Sequence, residues 1–216
     1  MMCTLDASRT VEMLNATADR IIAAKDILTE ADKMGDADHG IGMARGFEAL
    51  KVKLAEGNPG SPYEALRLAG LTLMSAIGGA SGAIFGTLYL KGADAVQHTE
   101  RLGAEDLAVF YKAGLEAVKA RGGATLGDKT VVDALEPAVN AAISGTRREA
   151  DLEEISRIMA AEARKGAEGT RNFRARVGKM KTLGDRSLGY LDPGALSTAI
   201  MFEAACDFIA EFYEGR

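Results

Sequence analysis

Apolar positions recur at steps of three and four along nearly the whole chain. Val11, Leu14, Ala18 and Ile21 form one such set, and Leu107, Tyr111, Leu115 and Val118 a second. Leu152, Ile155 and Met159 make a third, and Ala199, Phe202, Cys206, Ile209 and Phe212 a fourth. Each set falls on one face of a helix with about 3.6 residues per turn. No stretch of comparable length alternates with period two, and the β-branched and aromatic residues that favour strands are sparse beside Ala and Leu. The spacing predicts an all-α protein with helices at about 7–28, 40–54, 62–78, 81–97, 103–121, 130–144, 150–168 and 194–213. Local signals support several starts. Ser61-Pro62-Tyr63-Glu64 offers a Ser cap, a first-turn proline and a Glu placed to reach back. Thr130 with Asp133, and Asp192 with Pro193, give two more caps. The connections are mostly short, which favours antiparallel neighbours. The exception, 169–193, has a length at which loops tend to be functional or mobile. No linker or repeat interrupts the pattern, so residues 1–216 are expected to form a single domain.

Composition narrows the chemistry. Hydrophobic residues make up 47% of the chain, enough for a sizeable core, and the formal net charge is -5, which disfavours a nucleic-acid partner. Cys3 and Cys206 are the two cysteines, too few for a disulfide framework, and a reducing cytoplasm is the expected compartment. No run of about 18 apolar residues suggests a membrane span, and no leader pattern suggests export. With only His39 and His98, imidazole-clustered metal chemistry is excluded, so any metal should be held by oxygen.

Three glycine-rich polar stretches remain. Gly35-Asp36-Ala37-Asp38-His39-Gly40-Ile41-Gly42 follows Glu30 and Asp32. Carboxylates two apart in a glycine-bearing turn can converge on a hard cation such as magnesium, or can cap the helix that follows. His39 either touches a ligand or fixes the loop by hydrogen bonds. Gly78-Gly79-Ala80-Ser81-Gly82-Ala83-Ile84-Phe85-Gly86 lies between two helical patterns. Small residues there leave amide hydrogens uncovered at a helix start, which suits a phosphate; close helix packing around Gly82 and Gly86 is the other reading. It lacks the Gly-Lys-Ser/Thr of a Walker loop, and no strand precedes it. The third stretch combines Gly122-Gly123, Gly127-Asp128-Lys129-Thr130 with Asp133, and Lys179 to Gly194, whose Lys179, Lys181 and Arg186 could neutralise a nucleotide or could form a solvated face.

As a set these blocks, together with Gly184-Asp185-Arg186-Ser187, resemble the L subunit, or nucleotide domain, of dihydroxyacetone kinases, in order and spacing from about residue 7 to the end. The resemblance implies a closed barrel of eight antiparallel helices that holds ADP or ATP across the loops at one end, with two magnesium ions on three aspartates. Carried over by position, Asp32, Asp36 and Asp38 are the metal ligands. His39, Gly40, Ile41 and Gly42 lie near the phosphates, and Ala80, Ser81 and Gly82 sit at the phosphate-facing helix start. Gly122, Gly123 and Val131 lie near the base and sugar. Lys179 and Asp192, Pro193 and Gly194 complete the nucleotide edge. Two departures stand out. Asp32 is one residue closer to the Asp-x-Asp pair than the family pattern has it, which keeps Glu30 as an alternative ligand. Lys179-Met180-Lys181-Thr182 replaces an Arg-Ala-Ser-Tyr, so a charge is kept without the planar fork of arginine.

The resemblance further implies phosphoryl transfer to dihydroxyacetone or a related short ketose held by a histidine of a separate K subunit. A phosphohistidine carrier protein recharges ADP in one branch of the family, and a homodimer is compatible with the pattern. The chain itself is expected to contribute no catalytic base and to be incomplete alone. A different class is a Mg-ADP-loaded regulatory subunit that acts through protein contacts.

Overall fold

A computed structural model describes residues 4–214; Cys3 lies outside the described residues, and Cys206 is a half-buried free thiol. The helices are α1 (Ala7–Ala23), α2 (Lys25–Ala31), α3 (His39–Gly57), α4 (Pro62–Ala76), α5 (Gly79–Ala95), α6 (Ala104–Gly122), α7 (Val132–Thr146), α8 (Leu152–Gly169) and α9 (Pro193–Glu214). Two short 3-10 turns, Thr170–Asn172 and Lys179–Ser187, lie between α8 and α9. The described residues form no strand; Leu5 and Leu102 make a single isolated bridge.

The all-α expectation holds, and most starts fall within two residues of the predicted ones. Ser61 accepts from the Glu64 amide at 3.2 Å, and the Glu64 carboxylate reaches back to the Gly60 amide at 2.7 Å. Asp6 and Asp151 cap α1 and α8 in the same way. One expectation needs correcting: the helix foreseen over 7–28 breaks at Ala24 (φ -83°, ψ 4°) into α1 and the seven-residue α2. The cause is tertiary. By turning there, α2 packs on α3 at Gly40, where any Cβ would overlap the Lys25 carbonyl and Thr29.

The eight helices other than α2 close into a ring. Each of α3 to α8 packs on its successor, α1 packs on α3, and α9 returns to α1. Phe47, Phe85 and Phe110 are fully buried in one hydrophobic core, each contributing about 1.5–3 kcal/mol. Edge-on contacts join Phe110 to Tyr89 at 5.7 Å and to Tyr111 at 4.8 Å. An up-and-down ring puts alternate connections at the same end. Residues 32–38, 77–78, 123–131 and 170–192 therefore share one end, and the Leu5–Leu102 bridge belongs to the other. Every polar stretch singled out in the sequence lies at the first end.

Candidate functional site

The acidic corner is built by the turn between α2 and α3. The Asp32 carbonyl accepts from the amides of Gly35 (2.8 Å) and Ala37 (3.2 Å), and Ala37 takes a left-handed conformation (φ 55°) that costs about 1 kcal/mol or more in a non-glycine residue. The curl brings one carboxylate oxygen from each of Asp32, Asp36 and Asp38 within 4.8 Å of the others. Of the two roles open to Asp36 and Asp38, capping is not the one seen. Asp38 makes no side-chain cap bond; Asp32 caps α3 instead, its Oδ2 accepting from the amides of Asp38 (3.1 Å) and His39 (3.2 Å). Glu30 pairs with Lys33 and stands outside the cluster.

The charges in this corner are unequal. Burial, reinforced by the neighbouring Asp36 and Asp38, raises the Asp32 pKa above the usual carboxylate value. The Lys179 ammonium donates to Asp36 and lies 3.3 Å from both oxygens of Asp38. That contact lowers the Asp36 pKa and raises that of Lys179. Three oxygens already gathered about a positive charge are a donor set that suits a hard divalent cation.

Beside this corner opens a cavity of about 530 Å³, within the range of small-molecule sites. Gly78 (φ 81°) turns the chain into α5, so Gly79, Ala80 and Ser81 present a helix N-terminus to the cavity. Arg45 fastens this turn by donating to the Ala76 carbonyl at 2.7 Å and the Ile77 carbonyl at 2.5 Å. Ile84, Phe85 and Val118 give the floor an apolar face.

His39 fixes the loop rather than offering a proton. Its Nε2 lies 2.7 Å from Ser197 Oγ and its Nδ1 3.2 Å from Ser81 Oγ. Ser197 spends its hydroxyl hydrogen on the Pro193 carbonyl at 2.9 Å, so Nε2–H must donate and Nδ1 must accept the Ser81 hydrogen. Burial pushes the His39 pKa down to about 4, consistent with a neutral ring that ties the starts of α3, α5 and α9 together. Ser81 is thus left with its amide and lone pairs to offer.

The far wall rests on a buried polar network. Asp133 accepts from the amides of Gly127 at 2.6 Å and Thr130 at 2.7 Å; the second is the reach-back bond of the predicted box, but α7 starts two residues later than predicted, with Val131 as N-cap and no side-chain cap bond. Asp192 accepts from the Ala195 amide at 2.7 Å. Burial raises both carboxyls, that of Asp192 to about 7. Between them Lys129, only 2% exposed, donates to the carbonyls of Thr170 and Tyr190.

Of the residues expected at the site, Asp32, Asp38, His39, Ile41, Gly42, Ala80, Ser81, Gly122, Val131, Lys179, Asp192, Pro193 and Gly194 line the cavity, and Asp36 joins at its rim. Gly40 and Gly82 do not: Gly40 meets α2, and a Cβ on Gly82 would stand 3.1 Å from the Met74 carbonyl of α4. Gly123 caps α6 in the left-handed region. The helix-packing reading of the 78–86 stretch thus holds for Gly82 and Gly86, while Gly79, Ala80 and Ser81 line the cavity on the other side of α5. Sequence reasoning missed Arg45, Arg121, Val177 and Met180 in the lining and did not single out Lys129 as a site residue. Lys129 sits inside a block already noted, but nothing local shows that its amine is buried.

An acidic triad beside an uncovered helix start, opening on an apolar cavity, defines a helical-ring protein equipped for a phosphorylated ligand carried on a hard cation. The chain belongs to the DAK2 domain family, whose model matches residues 33–207. It is 38% identical over 202 residues to the ADP-binding subunit DhaL of PEP-dependent dihydroxyacetone kinase 1 from Listeria innocua, across 93% of this chain and 96% of that protein. It is 33% identical over 201 residues to the ADP-binding subunit DhaL of the PEP-dependent dihydroxyacetone kinase of Escherichia coli, across 93% and 96%. The fold matches the crystal structure of the dihydroxyacetone kinase from C. freundii in complex with AMP-PNP and Mg2+ with a TM-score of 0.73 at 21% identity, covering 96% of this chain and 35% of that one. No helix among the described residues is long and apolar enough to cross a membrane.

Proposed function

We propose that this chain is the ADP-binding subunit of a dihydroxyacetone-type kinase, and that it carries Mg-ADP or Mg-ATP for phosphoryl transfer to a short ketose held on a K-type partner subunit. The observation that carries the reading is the convergence of Asp32, Asp36 and Asp38 beside the N-terminus of α5, with the cavity running on towards α9. Near-full-length similarity to ADP-binding kinase subunits supports it. In this reading the three aspartates hold magnesium, two ions in all. When bound, the cation neutralises phosphate charge, the main requirement of phosphoryl transfer. The amides of Ala80 and Ser81 meet the phosphates, with His39 to Gly42 alongside; Gly122, Gly123 and Val131 receive base and sugar; Lys179 and Asp192 to Gly194 close the edge. His39, neutral and doubly engaged, acts as a strut. The chain supplies no base, so the ketose and its activation belong to the partner, a phosphohistidine carrier recharges ADP, and the cytoplasm is the site of action.

Calorimetry of Mg-ADP binding tests the assignment. Asp36→Ala and Asp38→Ala should each weaken binding at least about tenfold, or about 1.4 kcal/mol, while far-UV circular dichroism stays unchanged. Asp32 is the poorer probe because it also caps α3. Unaltered affinity in a folded Asp36→Ala protein would remove the metal site.

A further inference from the structure

The segment between α8 and α9 is a strap with a fixed neck and a single electrostatic latch to the acidic corner. At the neck, the Gly189 amide donates to the Arg171 carbonyl at 2.8 Å and Arg171 Nη1 returns a bond to the Gly189 carbonyl at 3.0 Å. Thr170 Oγ1 accepts from the Asp192 amide at 2.9 Å, and Lys129 holds the neck from below. The strap has internal order: Ser187 Oγ accepts from the Ala175 amide at 2.9 Å and donates to the Gly184 carbonyl at 2.7 Å, and Arg174 pairs with Asp185 at 3.4 Å. The Arg176 amide ties it to Asp128. Beyond that tie, Gly178 (φ 73°) turns the chain, and Lys179 crosses to Asp36 and Asp38.

We propose that Lys179 is a tethered stand-in for the divalent cation: its ammonium neutralises the Asp36–Asp38 pair in the ligand-free protein, and the metal must displace it, which releases the strap. The inference rests on the reading that these aspartates hold a divalent ion. An ammonium is a compact point charge on a flexible stem, able to reach two carboxylates at once. It leaves Asp32 without a cation, because that carboxylate bonds only backbone amides. A divalent ion brings twice the charge and reaches all three groups, so the two occupants exclude each other. Lys179 lines the cavity with Ser81 and Gly194, so a displaced ammonium would be within the same cavity as an incoming phosphate. Lysine in place of arginine suits this exchange, since it grips carboxylates without the bidentate fork.

Manganese titrations followed by electron paramagnetic resonance, without nucleotide, give the first test. Lys179→Met should bind manganese about fivefold more tightly than wild type, the size of one exposed ion pair, or should bind it where wild type does not. Hydrogen exchange read by mass spectrometry gives the second. Manganese should speed exchange across residues 174–187 in wild type, whereas Lys179→Met should exchange fast from the start and not respond. Asp36→Asn separates the two ideas. If it abolishes manganese binding while Lys179→Met binds no more tightly than wild type, the latch is refuted and the metal site stands. If neither wild type nor Lys179→Met binds manganese, or if Asp36→Asn binds it as wild type does, the metal reading fails and the latch goes with it.

Discussion

Lys129 and Lys179 line one cavity and should respond very differently to the same substitution. Lys129 is 2% exposed, and its ammonium donates to the Thr170 carbonyl at 2.6 Å and to the Tyr190 carbonyl. Replacing it with methionine keeps most of the side chain's length and removes the charge. Each hydrogen bond from a charged donor contributes about 1.5–3 kcal/mol, so the gross loss is about 3–6 kcal/mol. Against this, an ion no longer has to be desolvated, which returns part of a penalty of several kcal/mol. Thr170 is fully buried, however, and its carbonyl would lose this donor with no water to replace it. The net expectation is a loss of about 2–4 kcal/mol, or roughly 5–15 °C in Tm for a chain of this size. Urea unfolding of wild type and Lys129→Met at neutral pH, followed by circular dichroism, measures it. Lys179→Met should stay within about 1 kcal/mol of wild type, because its side chain is 56% exposed and its ion pairs are screened. A Lys129→Met protein less than about 1 kcal/mol destabilised would refute the claim that this amine holds the neck of the strap.

Two further outcomes follow from the packing and the charges. Gly86→Ala would bring a Cβ to 2.8 Å from the Met74 Cα and 3.0 Å from the Gly70 carbonyl, and backbone cannot yield there, so overpacking of about 1–3 kcal/mol should outweigh a helix-propensity gain of up to about 1 kcal/mol; Gly169→Ala, with nothing within 4 Å, should be neutral or stabilising in the same thermal melts. Asp192 titrates at about 7 in the folded protein against a usual 3.8, so the folded state holds its proton more tightly; this stability is fully present below 3.8 and is lost as pH rises through 7. Asp192→Asn should therefore gain stability relative to wild type between pH 4 and pH 8, and a parallel pH dependence of the two proteins in urea would contradict the assignment.

How far the sequence carries the reader differs between helices and walls. The period of three and four in the apolar residues is a property of each segment alone, and the caps at Ser61 and Asp192, like the Asp133 bond to the Thr130 amide, lie within four residues of the groups they satisfy, so both were legible. The break at Ala24 was not, because no glycine or proline marks it and its cause is the fit of α2 against Gly40. Arg45 escaped for a similar reason: it holds carbonyls of α4 from the middle of α3, 31 and 32 positions away. Gly82 was assigned to phosphate although its bare Cα faces α4; a glycine beside a helix start looks the same whether ligand or helix comes close. The acidic triad was named residue by residue, but with Glu30 left open as the alternative to Asp32. That Asp32 rather than Glu30 joins it depends on the left-handed turn at Ala37, which alanine does not announce.

The ring itself explains why such widely separated blocks cooperate. With eight long helices running up and down, every second connection emerges at the same end, and those connections are the ones carrying Asp32 to Asp38, Gly78, Gly127 to Val131, and Lys179 to Asp192. The opposite connections need only turn the chain, as Asn58 does in a left-handed C-cap and Ser61 does as an N-cap. Four helices start at that end, α3, α5, α7 and α9, and His39 bonds across the starts of α3, α5 and α9 through Ser81 and Ser197. Each start carries a partial positive charge of about one half, and that of α5, which has no side-chain cap, also leaves its amide hydrogens uncovered. Their convergence on one cavity favours an anion there. The aspartates at its edge would repel that anion unless a cation stood between them, which is why the triad and the helix starts make chemical sense together and neither does alone.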